Sequence, residues 1–335
     1  MEFELAEGIP YAPRIPHFVF RRSSERDFGQ IANVINASWE ADLIDAQISE
    51  EGVARTWKHP ENFDPTKDAV VVERDGAVIG YASVTWRQKL NNLRIYTHNA
   101  FLLPKWRMGS LRREMVMLNE NRLRALASEH PDNQKFFEVY ANSKPNDWKS
   151  ILETAGYGAS WFLLGMLRSN LHDIPSFLLP EGVEVRPVRR EDLRKIWDSA
   201  REAFRDGREF TEEKWSEEEY IRRNEAPTFD PELWQIAWED DEVIGGVHNR
   251  IDKEENEALN RKWGHTEQIF VRRRWRNRGI AKALIAHSLR ILAEHGMTEA
   301  TLDVDTENPS GALRLYESLG FKPYSEFIFY RKPLF

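Results

Sequence analysis

The chain has 335 residues, of which 41% are hydrophobic and 30% charged, and it contains no cysteine. This length predicts two domains with separate cores, and the lack of cysteine excludes disulfides, thiolate nucleophiles and cysteine-bound metals. A net charge of −8 disfavours broad binding to nucleic acid, and no apolar run approaches the roughly 20 residues that cross a bilayer.

The N-terminal residues bear on where the protein works. The opening segment MEFELAEGIPYAPRIPH carries acids where a secretory signal needs a basic start followed by an apolar core. We therefore expect a cytoplasmic protein, with residues 1–16 as an extension before the first domain. Nothing in the sequence indicates a metal site.

The first half of the chain contains patterns that recur in the second. A short strand, a turn and the acidic start of a helix are predicted for VFRRSSERDF at 19–28 and for VEVRPVRREDL at 183–193. A hairpin with polar turn residues is predicted at 73–84 and again at 239–250. The two halves therefore share one order of elements.

Matched glycines set the spacing of this repeat. Gly80 and Gly245 are 165 residues apart, and Gly156 and Gly320 are 164 apart. A nearly constant spacing indicates that a whole domain is duplicated. We place the first domain at 17–170, a proline-containing linker at 171–182 and the second domain at 183–335.

Strands and helices alternate along the second half. This order is typical of an α/β (α+β) domain, in which helices flank a mixed, mostly antiparallel sheet. An acidic helical stretch is expected after the first helix. The other predicted elements are strand 183–187, helix 191–204, strands 233–238, 242–251 and 264–272, helix 279–295, strand 299–305, helix 309–318 and a closing hairpin at 321–332.

An arginine-rich stretch, RRRWRNRGIAKAL, joins a predicted strand to a predicted helix at 272–284. The strand HTEQIFV ends just before it, and a helical pattern of apolar residues begins at Ile280. The start of a helix presents unpaired backbone N–H groups and the positive end of the helix dipole, which together bind anions. The spacing from Arg276 to Ala281 fits R-x-x-G-x-A, whose small residues let a pyrophosphate approach the backbone.

This spacing resembles the acyl-CoA-binding motif of the GNAT superfamily of N-acetyltransferases. Farther on, ENPSGALRLYESLGFKP at 307–323 resembles the later GNAT motif, in which an Asn precedes a helix with a Tyr and then L-G-F. The resemblance covers 183–335 well and 17–170 in outline, so it implies two tandem GNAT-like domains. This layout is similar to that of mycothiol synthase, in which the C-terminal domain is the active acetyltransferase.

The resemblance implies roles for residues around both motifs, with acetyl-CoA as the co-substrate. The strand end would pair its backbone with the pantetheine arm, and the loop and helix start would bind the pyrophosphate. The Asn of the later motif also fits a plain helix N-cap. Arginines 272–274 fit either a solvated strand end or a contact to the 3′-phosphate of CoA. The cofactor-binding residues so implied are Phe270, Val271, Arg276, Asn277, Arg278, Gly279, Ile280, Ala281, Lys282 and Asn308.

Acetyl transfer to an amine needs a base for the amine and a proton for the departing thiolate. The resemblance assigns the proton donor to Tyr316, whose alternative role is to pack between helix and sheet. For the base, Glu267 and His265 share one strand face, and we favour Glu267. Each of these two also fits an ordinary surface residue. Asp303 and Asp305 are further candidates for the same role.

The first repeat departs from both motifs. When the two arginine-rich stretches are aligned on their tryptophans, Arg107 matches Arg276. Ser110 and Arg112 then stand where the second repeat has glycine and alanine, and a bulky side chain there would obstruct a pyrophosphate. Leu152 replaces the tyrosine of the later motif. The first domain is therefore predicted to be degenerate, and either to act as a scaffold, to close the acceptor site or to bind its own ligand.

The segment at 211–257 holds 16 acidic and 5 basic side chains. An acidic rim would concentrate a cationic acceptor such as a polyamine, an aminoglycoside or an amino sugar, although a solvated helix face has the same composition. We therefore expect an acetyl-CoA-dependent N-acetyltransferase in which the primary amine of a small molecule attacks directly. No metal, nucleic-acid partner or membrane partner is expected. The alternative is a non-catalytic acyl-CoA sensor, which would need neither acid nor base.

Overall fold

The computed structural model describes residues 9–58, 62–89, 92–107, 109–131, 134–207, 210–307 and 311–335. The chain forms two compact units, one made of Met1–Trp161 with Phe327–Phe335 and the other of Phe162–Glu326. In the described part of the chain, no helix is long and apolar enough to cross a membrane. The predicted cofactor contact Asn308 lies outside the described residues.

The first unit contains a mixed sheet flanked by helices. Its elements are β1 (Val19–Arg22), α1 (Phe28–Ala41), α2 (Glu50–Lys58), β2 (Ala69–Arg74), β3 (Ala77–Lys89), β4 (Leu93–Leu102), α3 (Leu111–Ser128), β5 (Gln134–Asn142), α4 (Asp147–Thr154) and the end of β12 (Lys322–Pro333). Successive strands from β1 to β4 pair antiparallel, whereas β4 and β5 pair parallel. The end of β12 pairs antiparallel with β5 and completes this sheet.

The second unit has the same kind of sheet. Its elements are most of β6 (Gly158–Arg168), β7 (Val183–Arg186), α5 (Leu193–Phe204), α6 (Glu217–Asn224), β8 (Gln235–Glu239), β9 (Glu242–Arg250), α7 (Lys253–Ala258), β10 (Trp263–Val271), α8 (Ile280–Glu294), β11 (Glu299–Asp305) and α9 (Ala312–Ser318). The strand order is β6-β11-β10-β9-β8-β7. Only β10 and β11 run parallel among these described pairs.

Matched backbone conformations accompany the sequence repeat. In both units a strand leads through a short 3₁₀ turn into a helix, as predicted. Both predicted hairpins form, and each turns through a left-handed aspartate, Asp75 with φ of 52° and Asp240 with φ of 53°. Gly156 and Gly320 are also left-handed, with φ of 88° and 84°. The predicted fold, a mixed sheet flanked by helices in each half, is confirmed.

One predicted detail of the second half is wrong, and one helix of the structure was not predicted. The closing segment is one strand, β12, rather than a hairpin, because the alternating run that begins at Phe327 contains no turn residue and pairs with β5. A further helix, α7, follows β9, and the side chain of Asp252 caps it by accepting from the backbone N–H of Glu255. The domain boundary at 171–182 stays a prediction, and the chain passes from one compact unit to the other within β6 and again within β12.

Helices cover both faces of the sheet in the second unit. One face packs on α8 and α9 through an apolar cluster around Leu289, and the other packs on α5 through a cluster that includes Trp197 and Phe270. β10 passes close to α8, where a Cβ added to Gly264 would stand 2.5 Å from Leu292 Cδ2. This close contact fixes the strand that leads into the arginine-rich loop.

Candidate active site

The start of α8 forms a backbone cradle just after β10. The connecting loop turns through two left-handed residues, Asn277 with φ of 62° and Gly279 with φ of 80°. A Cβ at Gly279 would meet no atom of the described residues within 4 Å, so the glycine serves the backbone conformation rather than a close contact. The first helical turn closes with a bond of 3.1 Å from the N–H of Ala283 to the carbonyl of Gly279. The N–H groups of 280–282 therefore point out of the helix start.

Acidic side chains already partner several arginines of this loop. Three guanidinium groups lie within 3.1 Å of a carboxylate, so their charge is partly compensated before any anion binds. The arginine run is therefore a weaker anion site than its charge count implies. The three pairs are Arg272–Glu202, Arg273–Asp206 and Arg278–Glu239.

Arg276 clamps the loop to two neighbouring elements. Its Nε donates to the carbonyl oxygen of Val271 at the end of β10, and its Nη2 donates to that of Ala203 in α5, both at 3.0 Å. In the first unit, the matching Arg107 donates to two carbonyl oxygens at the equivalent positions, at 3.2 and 3.1 Å. The arginine that opens the motif therefore shapes the loop in both units.

The remaining predicted cofactor contacts gather at the same helix start. Ile280 is buried, and Ala281 and Lys282 are half-buried. The Lys282 ammonium lies 4.5 Å from the centroid of the Phe177 ring. Phe270 is buried at the end of β10, next to Val271. The structure thus brings the predicted residues between 270 and 282 to one strand end and one helix start.

β10 and β11 separate beyond a short parallel stretch. Their register ends at the pair His265 and Thr301, although both strands continue. A bulge follows in β10, where Gln268 is left-handed with φ of 43° and the register with β9 shifts. The Oε1 atom of Gln268 is buried and has no hydrogen-bond partner among the residues that the structure describes. Diverging strands leave backbone groups available to an extended ligand arm, and bulges commonly re-aim side chains at binding sites.

A row of polar side chains crosses one sheet face at this opening. His248 on β9 is the register partner of Glu267 on β10, and Arg250 is the partner of His265. Because residues two apart along a strand share a face, these four side chains point to one side. Asp303 on β11 joins them, since it interacts electrostatically with Glu267, His265 and Arg250. We call these five residues the polar belt.

The sequence-predicted base Glu267 is already bonded within the belt. The Nε of Arg250 donates to its Oε1 at 2.9 Å, and the Glu267 side chain keeps 47% of its surface exposed. The Nε2 of His265 lies 3.5 Å from a carboxylate oxygen of Glu255 in α7. The Asp303 carboxyl touches solvent, but the surrounding protein limits its hydration. This desolvation, together with the charge of Glu267, raises the pKa of Asp303 above its ordinary value.

His248 is a belt residue that the sequence analysis did not single out. Its ring stacks on Trp234 with centroids 3.9 Å apart, and its Nε2 is buried with no hydrogen-bond partner in the described part of the chain. Burial, followed by the charge of Arg223, lowers the pKa of this imidazole to about 3, so the ring is neutral near pH 7. Only the register between β9 and β10 places His248 opposite Glu267, and a single sequence does not specify that register.

Tyr316 packs in the apolar cluster that joins α9 to the opposite sheet face. Its side chain is 7% exposed and meets the ring of Phe321 edge-on, with centroids 6.3 Å apart. Burial raises the pKa of the hydroxyl to about 12, so the phenol stays protonated near pH 7. The packing role predicted as an alternative is present, and the proton-donor role stays a prediction.

The acidic segment at 211–257 is partly neutralised where it forms α6. Glu219 is buried, and it accepts bonds of 2.6 Å from both Arg222 and Arg223. Glu217 lies 2.5 Å from a guanidinium nitrogen of Arg194. These acids therefore stabilise local structure in addition to giving the segment its negative balance.

The first unit fills the equivalent region with its own side chains. Arg112 is buried, and it donates to the carbonyl of Ala100 at 2.9 Å and to Asp42 Oδ1 at 3.0 Å. Within the described strands, β3 and β4 pair in continuous register from Gly80 to Lys89, without the shift seen between β9 and β10. The small-residue helix start and the bulge thus belong to the second unit.

A backbone anion cradle at a helix start, beside two diverging strands and a polar belt, gives the second unit the layout of a GNAT-type acyltransferase domain. Residues 193–321 match the family model described as the acetyltransferase (GNAT) family. The second half of the chain is therefore a GNAT acetyltransferase domain, and the protein is an acetyltransferase of this type.

Relatives of the chain include proteins named mycothiol acetyltransferase. The one from Geodermatophilus obscurus is 26% identical over 270 residues, which cover 79% of this chain and 82% of that protein. The one from Acidothermus cellulolyticus is 28% identical over 194 residues, which cover 55% of this chain and 58% of that protein. The alignment thus spans less than two thirds of the second relative.

Solved structures share the fold over almost the whole chain. A GCN5-related N-acetyltransferase from Sphaerobacter thermophilus is 27% identical, with a TM-score of 0.72 over 96% of both chains. A tandem GNAT protein from the clavulanic acid biosynthesis pathway is 15% identical, with a TM-score of 0.69 over 95% of this chain and 99% of that one. The predicted family and its tandem fold are confirmed.

Proposed function

We propose that the protein transfers an acetyl group from acetyl-CoA to the primary amine of a small molecule, by direct attack of the amine, in its second half. The observation that carries this proposal is the cradle at the start of α8, beside the opening between β10 and β11 and the polar belt. The match of residues 193–321 to the GNAT family supports the same chemistry. The expected site of action is the cytoplasm.

The residues at the helix start suit the pyrophosphate of this donor. The N–H groups of 280–282 supply hydrogen bonds, and the α8 dipole favours an anion. Gly279 presents no side chain, and its surroundings leave space for a close approach. Lys282 adds a cation supported by the ring of Phe177. The unpartnered Oε1 of Gln268 suits an N–H donor from an extended ligand arm.

Two groups would handle the protons of the reaction. We assign the general base to the polar belt, where the sequence favours Glu267 and then His265. We assign the acid to Tyr316, whose hydroxyl stays protonated near pH 7 and would give its proton to the thiolate as the carbon–sulfur bond breaks. The amide product then leaves together with the free thiol of CoA.

The acceptor is proposed to be a small polar amine. The relatives named mycothiol acetyltransferase support a small-molecule acceptor. Carboxylates of Glu267 and Asp303 at the belt would attract its ammonium form. A nucleic-acid or membrane partner plays no part in this proposal.

A non-catalytic acyl-CoA sensor is the second candidate. Two observations favour it: Glu267 is already bonded to Arg250, and Tyr316 packs in an apolar core. A sensor would use the same cradle but release no thiol. The two functions therefore differ in turnover and agree in binding.

Titration with acetyl-CoA, followed by assay of thiol release across a panel of primary amines, tests both functions. We expect binding and acceptor-dependent thiol release. Ala281→Arg, which copies the arginine of the first unit into the cradle, is expected to abolish binding, whereas Glu294→Arg at the far end of α8 retains it. Circular dichroism confirms that both variants fold. Absence of binding by the wild-type protein contradicts both functions, and binding without thiol release for any amine contradicts the enzyme.

A further inference from the structure

Two belt carboxylates face each other across the opening between β10 and β11. The last parallel pair of these strands is His265 with Thr301. Glu267 and Asp303 each lie two residues beyond that pair, so both side chains point to the belt face from opposite edges of the opening. An amine that reaches an acyl group held between the strands would therefore meet both carboxylates.

The two carboxylates differ in their partners. Arg250 donates from its Nε to Glu267 at 2.9 Å and also lies 3.2 Å from Asp252. In the described parts of the chain, no hydrogen bond or ion pair holds the carboxylate of Asp303. Its register partner on β6 is Gly165, which brings no side chain against it. Asp303 is thus the carboxylate with free acceptor oxygens.

The charged neighbours act on Asp303 in opposite directions. Limited hydration and the nearby charge of Glu267 raise its pKa, whereas His265 and Arg250 act to lower it. The net direction is upward, so its carboxylate accepts a proton more readily than an ordinary aspartate. The Glu267 carboxylate already accepts a hydrogen bond from Arg250, so an incoming amine has fewer acceptor positions there than on Asp303.

We propose that Asp303 is the general base of amine acetylation, and that Glu267, fixed by Arg250, is a positioning residue beside it. This assignment rests on the function proposed above. Asp303 takes one proton from the ammonium group, and the freed nitrogen pair attacks the acetyl carbonyl carbon. The carbon–sulfur bond then breaks and the sulfur gains the proton of Tyr316. The nitrogen loses its second proton to solvent, and the Tyr316 hydroxyl regains a proton from solvent. Asp303 returns its proton to solvent.

Dependence of kcat/KM for the amine on pH tests the assignment at saturating acetyl-CoA. We expect Asp303→Asn to lower kcat/KM at least about 100-fold. It should also remove the acidic limb of the pH profile, which is the fall in kcat/KM at low pH as the base becomes protonated. Asp303→Glu should restore part of the rate. Glu267→Gln removes a negative charge beside Asp303, so we expect the fall in kcat/KM at acidic pH to shift to lower pH.

Controls separate this assignment from general damage and from failure of the proposed function. Glu294→Gln removes an exposed carboxylate at the far end of α8, and it should keep the wild-type pH profile. Affinity for acetyl-CoA and the thermal midpoint are measured for every variant. A wild-type protein that releases no thiol contradicts the proposed function itself. If thiol is released but Asp303→Asn keeps the acidic limb, or Glu267→Gln eliminates it, Asp303 is not the base. An unmoved limb in Glu267→Gln overturns its positioning role.

Discussion

Replacement of Arg276 by alanine distinguishes an arginine that shapes the loop from one that binds phosphate. The guanidinium donates at 3.0 Å to the carbonyl oxygens of Val271 and Ala203. Alanine removes both donors, so the side chain at 276 no longer links the end of β10 to α5. We therefore expect Arg276→Ala to reduce stability even when no ligand is present.

The size of this loss follows from the two hydrogen bonds. A bond from a charged donor contributes about 1.5–3 kcal/mol when its partner is left buried. The Arg276 side chain is 37% exposed, so water replaces part of the lost interaction. We expect the free energy of unfolding to fall by about 2–3 kcal/mol for the pair of bonds. The exposed contact to Asp206, at 3.6 Å, adds little.

Urea unfolding followed by tryptophan fluorescence measures this loss, because the 12 tryptophans of the chain report its unfolding. Arg274→Ala is the matched control: its guanidinium is exposed and lies 5.1 Å from the centroid of the Trp275 ring, so its loss should stay within about 0.5 kcal/mol. An Arg276→Ala protein with the wild-type urea midpoint but weak binding of acetyl-CoA would refute the reasoning. That result would make Arg276 a direct phosphate contact.

Three further predictions concern the second unit. Tyr316→Phe should lower kcat for thiol release at least about 10-fold while the thermal midpoint changes little, and an unaltered kcat would remove the acid assignment. Gly264→Ala should cost about 1–3 kcal/mol in thermal unfolding, because the new Cβ stands 2.5 Å from Leu292 Cδ2; wild-type stability would show that the helix shifts freely. His248 has its pKa lowered to about 3 by burial and then by Arg223, whereas the unfolded chain binds this proton near pH 6.5. The free energy of unfolding should therefore fall as pH drops below 6.5, by about 2 kcal/mol at pH 5. His248→Gln should make the urea midpoint depend less steeply on pH in this range. The same pH dependence in the variant and the wild type would contradict this prediction.

Local rules in the sequence predict the cradle well. Glycine tolerates the left-handed conformation that Gly279 adopts before α8, and the apolar periodicity from Ile280 marks the helix. The repeat is equally visible, because paired glycines such as Gly156 and Gly320 serve one backbone conformation in both units. These features depend on neighbours along the chain, which a single sequence contains in full.

The polar belt depends on pairing between strands, and this is why the sequence alone left it incomplete. Glu267 and His265 are recognisable because they lie on one strand. His248 and Arg250 join them only through the register of β9 with β10. Asp303 differs from Glu267 through the ion pair of Glu267 with Arg250, and the sequence does not reveal this pair because its members lie on different strands.

The two repeats separate the structural part of the arginine motif from its ligand-binding part. Arg107 donates to the carbonyls of Leu102 and Ser38, as Arg276 does to those of Val271 and Ala203, and Ser38 and Ala203 stand 165 residues apart, the spacing of Gly80 and Gly245. A contact kept by a unit whose helix start is filled by Arg112 cannot depend on a bound pyrophosphate. The clamp therefore belongs to the fold, and the proposed phosphate contacts reduce to the small residues and backbone N–H groups at the start of α8, where the first unit has Ser110 and Arg112 instead.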